Sequence, residues 1–357
     1  MTLSREETAW GMRYLLGFQS PTDEEIDFHR HAYETPESLR DTFLRTPQAQ
    51  ALFMEANREG HGKLSGRSAY SIPPFLLGRP DFGDVPWTFT EPSLDNPVWQ
   101  LCTSEQMQTP TYKSLCDRLG LQSSVPHRKI WEFAFILAAL DHRKVIVPGY
   151  KGLGFGTGTE HLPSVLAREG LTILATDAPS DLEIGHLWSH GSQWSQSLND
   201  LWHPALVDED TFFNNVSFLP VDMNKIPDDI RDFDFCWSAC AFEHLGSIRH
   251  GLDFLHNSLA PLRPGGISVH TTEFNVSSNT ETLDRPGLSI FRKVDFETIA
   301  HELISAGHKV EPINLWPGAT PVDEHIDLPP YGYPHLKLEI EGHRTTSIGL
   351  IITKGDC

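Results

Sequence analysis

"GYKGLGFGTGTEHLP", Gly149 to Pro163, is the stretch on which the reading of the fold turns. Its glycines fall at 149, 152, 154, 156 and 158, after the apolar "KVIV" and before the amphipathic "SVLAREG". A backbone without side chains at a strand-to-helix turn allows a tight bend and close approach of a ligand, and the helix that follows offers free N–H groups. A glycine-rich turn kept for packing alone would look the same. The next strand ends in "ILATDAP", where Asp177 could accept hydrogen bonds from both hydroxyls of an adenosine ribose or cap a helix.

Working outward, strand-like runs alternate with amphipathic ones. Strands are expected at Lys151 to Gly154, 171–177, 216–222, 233–239, 265–274, 308–314 and 346–354. "EHLPSVLAREG", "SIRHGLDFLHNSLAPLRPGG" and "VDFETIAHELISAGH" supply helices between them, and such alternation predicts an α/β, doubly wound, mostly parallel sheet with helices on both faces. The run "WEFAFILAAL", Trp131 to Leu140, is about half the roughly 20 residues a bilayer span requires and reads as a buried helix.

Upstream, residues 1–55 carry helical spacing, with Trp10, Tyr14 and Leu15, then Ile26 and Phe28, then Leu39, Phe43 and Leu44, and form an expected helical module. Residues 56–100 are dense in Gly, Pro and aromatics and are expected to form a connector or lid without long helices or central strands. The alternating domain then occupies 101–357.

The 357 residues, 39% hydrophobic, suffice for a large buried core. Lys and Arg total 28 against 48 Asp and Glu, a formal charge of -20 that repels nucleic acid and anionic lipid over most of the surface. The five cysteines show neither a paired framework nor zinc spacing and read as small apolar fillers in a reducing compartment. "MTLSREETAW" lacks the basic start and apolar core of a signal peptide, so the expectation is a cytoplasmic protein with no membrane segment.

Spacing separates two candidate ligands. A dinucleotide fingerprint runs G-x-G-x-x-G, whereas this loop runs G-x-G-x-G and continues into Thr159-Glu160, a carboxylate that suits a cationic cofactor better than a pyrophosphate. "VDM" ends the third strand with Asp222, "FDFCWSACAFEHLGS" ends the fourth with Glu243-His244, and "LAPLRPGG" leads into the fifth. In this order, over about residues 130–275, the set resembles the class I S-adenosylmethionine-dependent methyltransferases, in particular the branch with "EHL" after strand four and "PGG" before strand five.

The resemblance implies a seven-stranded Rossmann-like methyltransferase sheet, with S-adenosyl-L-methionine against Gly154, Phe155, Gly156, Gly158, Asp177, Ala178, Asp222, Met223 and Ser238. The family usually carries an acid two residues before the first of these glycines. This chain has Gly152 there, and Glu160 is the candidate substitute. The first 55 residues also resemble a small helical module of bacterial surface-polysaccharide enzymes, which points to a glycan acceptor.

For methyl transfer to a hydroxyl the protein must align the acceptor and remove its proton. His244 is the leading base, with Glu243 to orient it and His270 as a further candidate; Glu273 and Asn275 are weaker acceptor contacts. No metal is assigned, although Asp323, Glu324, His325, Asp327 and His335 lie close in sequence and would suit a hard cation. The expected function is O-methylation of a sugar, glycan or small-molecule hydroxyl. The alternatives are an NAD(P)-dependent oxidoreductase, for which no Tyr-x-x-x-Lys pair is evident, and a non-catalytic cofactor-binding scaffold.

Overall fold

A computed structural model describes residues 70–179, 195 and 197–356. The helical module expected at 1–55 lies outside the described residues.

The elements run α1 (Pro74–Leu77), β1 (Trp87–Thr88), β2 (Trp99–Leu101), α2 (Ser104–Met107), α3 (Pro110–Leu119), α4 (Arg128–His142), β3 (Lys151–Gly154), α5 (Leu162–Arg168) and β4 (Thr172–Asp177). After a 3-10 turn at Leu198–Leu201 come α6 (Glu209–Asn215), β5 (Val216–Pro220), β6 (Phe233–Ala239), a second 3-10 turn at Phe242–His244, α7 (Ile248–Asn257) and β7 (Leu262–Asn275). The chain ends with β8 (Asp284–Arg285), β9 (Leu288–Ser289), α8 (Lys293–Ser305), β10 (Lys309–Val310), β11 (Ile313–Asn314), α9 (Pro321–Glu324), β12 (Ile326–Asp327), β13 (Lys337–Ile340) and β14 (His343–Thr353).

β5, β4, β3, β6 and β7 lie side by side and parallel, and β14 pairs antiparallel with β7 over nine residues, Thr345↔Asn275 to Thr353↔Ile267. This is a doubly wound, mostly parallel α/β sheet of Rossmann-like kind. Each of the seven expected runs contains a strand, and β10 adds to β14. Among the described residues the sheet is nevertheless twelve-stranded, because β1, β11 and β2 extend it beyond β14 and β12 and β13 pair off its path.

Two local differences have physical causes. The connector was expected to hold no central strand, yet β2 pairs with both β11 and β14, and Trp99, Gln100 and Leu101 are fully buried. Three residues suffice to fill that gap between the prolines at 97 and 110. β7 begins at Leu262, inside "LRPGG", because the register against β6 shifts between Phe233 and Phe235 and a bulge absorbs the extra residues.

"WEFAFILAAL" lies in α4, whose residues from Ala134 to Leu140 are all buried beneath the sheet. Among the described residues no helix is long and apolar enough to cross a membrane. Cys102, Cys116 and Cys236 are buried and free, as fillers should be, whereas Cys240 is only partly buried.

Candidate active site

β3 ends at Gly154 under the indole of Trp237, its register partner on β6, and a Cβ at Gly154 would come within 2.6 Å of that ring. The first loop glycine therefore makes room for a protein side chain. Gly156 and Gly158 follow in the left-handed region, with φ of 58° and 50°. A Cβ at Gly156 would meet Ala241 Cβ at 2.8 Å and Met223 Sδ at 3.4 Å, so the loop rests on the turns after β6 and β5. Phe155 is fully buried and packs edge-on against Phe254 of α7.

At the end of β4, Asp177 accepts from the backbone N–H of Gly158 at 3.0 Å, of Ser195 at 3.1 Å and of Ala178 at 2.8 Å. These bonds tie β4 to the glycine loop and take three of about four acceptor positions of a carboxylate. Burial pushes the Asp177 carboxyl up, and the three backbone donors oppose it. Asp222 follows β5 and turns the chain by accepting from Asn224 N at 2.9 Å, which leaves Met223 buried against Gly156. The loop, Asp177, Ala178, Asp222 and Met223 thus gather at the carboxyl ends of adjacent parallel strands, where open α/β sheets bind ligands. Left-handed glycines beside two strand-end acids fit a nucleoside-bearing cofactor.

Beyond β6 the chain passes through Cys240, held at φ 49°, into the 3-10 turn that carries Glu243 and His244. Glu243 is 1% exposed and accepts from Thr272 Oγ1 at 2.8 Å. Burial raises its carboxyl to about 7 against the pull of Lys129. His244 Nδ1 bonds the carbonyl of Gly287 at 2.7 Å, and its Nε2 stands 3.9 Å from Glu243 Oε1. Burial lowers its pKa to about 4, so the ring is neutral near pH 7, and the carbonyl bond places the proton on Nδ1. The cap of α7 is Ser247, whose side chain accepts from His250 N, and not His244.

The start of α4 faces this turn with charges, Arg128, Lys129 and Glu132, that sequence reasoning missed, and of their partners it named only Glu273. Arg128 pairs with Glu273 of β7, with Glu132 at 3.2 Å and with Ser347 Oγ of β14 at 3.0 Å, and Lys129 pairs with Glu132 at 2.9 Å. Burial opposes ionisation of Glu132, but Lys129 and Arg128 more than offset it and hold the carboxylate at about 2. Glu273 accepts from Thr345 Oγ1 at 2.7 Å, and burial holds its carboxyl above the usual range despite Arg128. The visible signal was "HRK" ahead of an apolar helix, a cationic start to a segment bound for the core.

The structure does not bring every candidate to this face. His270 is fully buried, with Nδ1 bonded to Ser238 Oγ at 2.8 Å and Nε2 to Ser268 Oγ at 2.6 Å, and burial lowers it to about 3. Ser238, expected at the cofactor, belongs to this core network. Asn275 shapes the turn after β7 by accepting from Ser277 N and Ser278 N, each at 2.9 Å. The acidic loop is divided as well: Asp323 caps α9 and binds Ser104, whereas Asp327 bonds His335 Nδ1 at 2.5 Å. Among the described residues the group whose ligand atoms lie within 4.8 Å of one another is Cys240, Glu243 and Glu273, and Arg128 already occupies its charge.

No family model and no curated protein matches the chain. Among solved structures, it is similar to YjhP from E. coli (19% identity, 38% of this chain and 49% of that one, TM-score 0.27). It is also similar to the CcbJ methyltransferase from Streptomyces caelestis (11%, 59% and 92%, TM-score 0.35) and to an S-adenosylmethionine-dependent methyltransferase from Clostridium acetobutylicum (12%, 68% and 98%, TM-score 0.36). The chain spans about half the length of the first of these. At such values the likenesses decide nothing about the site, whose chemistry rests on its own residues.

Proposed function

We propose that this protein is an S-adenosylmethionine-dependent methyltransferase acting on a hydroxyl of a sugar, a glycan or another small molecule. The observation that carries this reading is the placement of Asp177 and Asp222 at the ends of neighbouring strands beside the left-handed Gly156 and Gly158. Asp177, with about one acceptor position left beside its three backbone bonds, would meet a ribose hydroxyl, Asp222 the adenine amino group, and Met223 would pack the base. The G-x-G-x-G spacing of the loop, in place of G-x-G-x-x-G, disfavours a nicotinamide dinucleotide.

When bound, S-adenosylmethionine supplies a methyl group made electrophilic by its sulfonium. The protein's part is orientation and proton removal. His244, neutral and fixed in one tautomer by Gly287, turns Nε2 toward Glu243, so the pair can take a hydroxyl proton and share it. Glu243 is the better matched base, because its affinity for a proton lies near the working pH. The glycan class of acceptor is supported by the likeness of residues 1–55 to a module of surface-polysaccharide enzymes.

Calorimetry with S-adenosylmethionine and with NAD tests the cofactor. Asp177→Ala should lose charge-assisted hydrogen bonds worth roughly 1.5–3 kcal/mol, which is about tenfold or more in affinity. Equal affinity for S-adenosylmethionine in the folded variant overturns the assignment. Transfer of labelled methyl to a glycan panel then identifies the acceptor.

A further inference from the structure

Glu160 has no part in the chemistry above, yet it sits in the glycine loop at 7% exposure. Its Oε1 accepts the indole N–H of Trp237 at 2.5 Å, across the strand pair that Gly154 opens. Among the described residues no cation forms an ion pair with it. Lys129 of α4 attracts it but is engaged by Glu132 and donates to Ala239 O, while Asp177 of β4 and Glu132 of α4 repel it. His203 bonds the carbonyl of the adjacent Thr159, and its ring tilts onto that of His161. Burial dominates over the Trp237 bond and raises the carboxyl to about 8, so near neutral pH it carries its proton.

Ionised without a cation, a carboxylate buried here would cost free energy that a single indole bond does not offset, which is why it holds its proton. A ligand that brought positive charge to the loop would complete the pair. We infer that Glu160 is the counter-charge for a cationic ligand seated on the glycine loop, and that seating the ligand expels the Glu160 proton to solvent. This rests on the cofactor reading, in which the cation is the sulfonium or the ammonium of S-adenosylmethionine.

The test is a proton count by calorimetry between pH 6 and 7, in buffers of different ionisation enthalpy. In that range the ligand's own amine, with a pKa of about 7.7–8.0, stays charged. S-adenosylmethionine should release close to one proton, and its affinity should rise about tenfold per pH unit. Uncharged 5′-methylthioadenosine should release none. S-adenosylhomocysteine, which keeps the ammonium and lacks the sulfonium, assigns the charge: release locates the ammonium at Glu160, and no release locates the sulfonium there. Glu160→Gln should abolish the release, and Glu243→Gln should keep it. Binding of S-adenosylmethionine without proton release, equal release with 5′-methylthioadenosine, or release lost in Glu243→Gln overturns the inference. If Glu160→Gln does not fold, the native protein and Glu243→Gln still decide. Failure of all three ligands to bind overturns the cofactor reading itself.

Discussion

Trp237 lies across Gly154 and Asp177 binds the loop at Gly158, contacts that join residues distant in sequence, whereas Glu243 stands 3.9 Å from its neighbour His244. The glycines, the strand-end acids and the "EH" pair were legible because each sits at a strand end that apolar runs and turn residues mark. That Gly154 yields its space to an indole was not, because spacing carries no cross-strand register. His244 and His270 look alike in sequence, as histidines at the ends of adjacent strands. They differ in what their ring nitrogens meet, a carbonyl in one case and three serine hydroxyls in the other. If the Glu243–His244 pair removes the proton, then Glu243→Gln and His244→Ala should each lower turnover by about 10²–10⁴ while cofactor affinity changes little. Steady-state rates with the true acceptor, beside calorimetry, check this.

His270 makes a separate prediction about stability. Its pKa is about 3 in the fold against 6.5 in the unfolded chain. Below pH 6.5 the unfolded chain therefore takes up a proton that the native protein refuses. The contribution is present in full above pH 6.5 and is lost as pH falls toward 3. Between pH 7 and 5 the native protein should lose about 2 kcal/mol more than His270→Gln. Denaturant unfolding of both proteins at the two pH values measures the difference, and parallel losses would place the titration elsewhere.

Helix α4 is the element that joins core and site. Its apolar run was plain in the sequence, and burial of that run is what fixes its first turn at the strand ends. There Arg128 connects β7 through Glu273 and β14 through Ser347, both of which come from the far end of the chain. Such partners have no local signal, so this ion network was invisible before the fold. Removing one partner of a buried pair leaves the others uncompensated, and Arg128→Leu should cost about 3–5 kcal/mol. Chemical denaturation would show it as a lower midpoint with an unchanged slope.

At the scale of the molecule the strand segments and the mostly parallel sheet were legible, whereas the outer extension beyond β14 was not. Strands of two or three residues among prolines, such as β1 and β2, are too short to show a period. Residues 1–55 should be dispensable for the sheet, so a protein beginning at residue 56 should stay folded and bind cofactor. One beginning at residue 102 loses β1 and β2, uncovers β14 and should unfold or aggregate. Circular dichroism and solubility of the two truncations compare them directly.

The pairing of β2 with β14 also sets an order of events during synthesis. Leu101 meets Ile348, so the strip between β11 and β7 stays open until the chain has been made as far as β14. The parallel strands β3 to β7 can assemble earlier, but β7 waits with an unsatisfied edge for its antiparallel neighbour. Loop closure over such separations is slow, and an open edge in the meantime is a template for other chains. A ribosome halted before residue 343 would hold a sticky, half-closed sheet, and a nascent chain of this protein depends on His343–Thr353 to become safe from its neighbours.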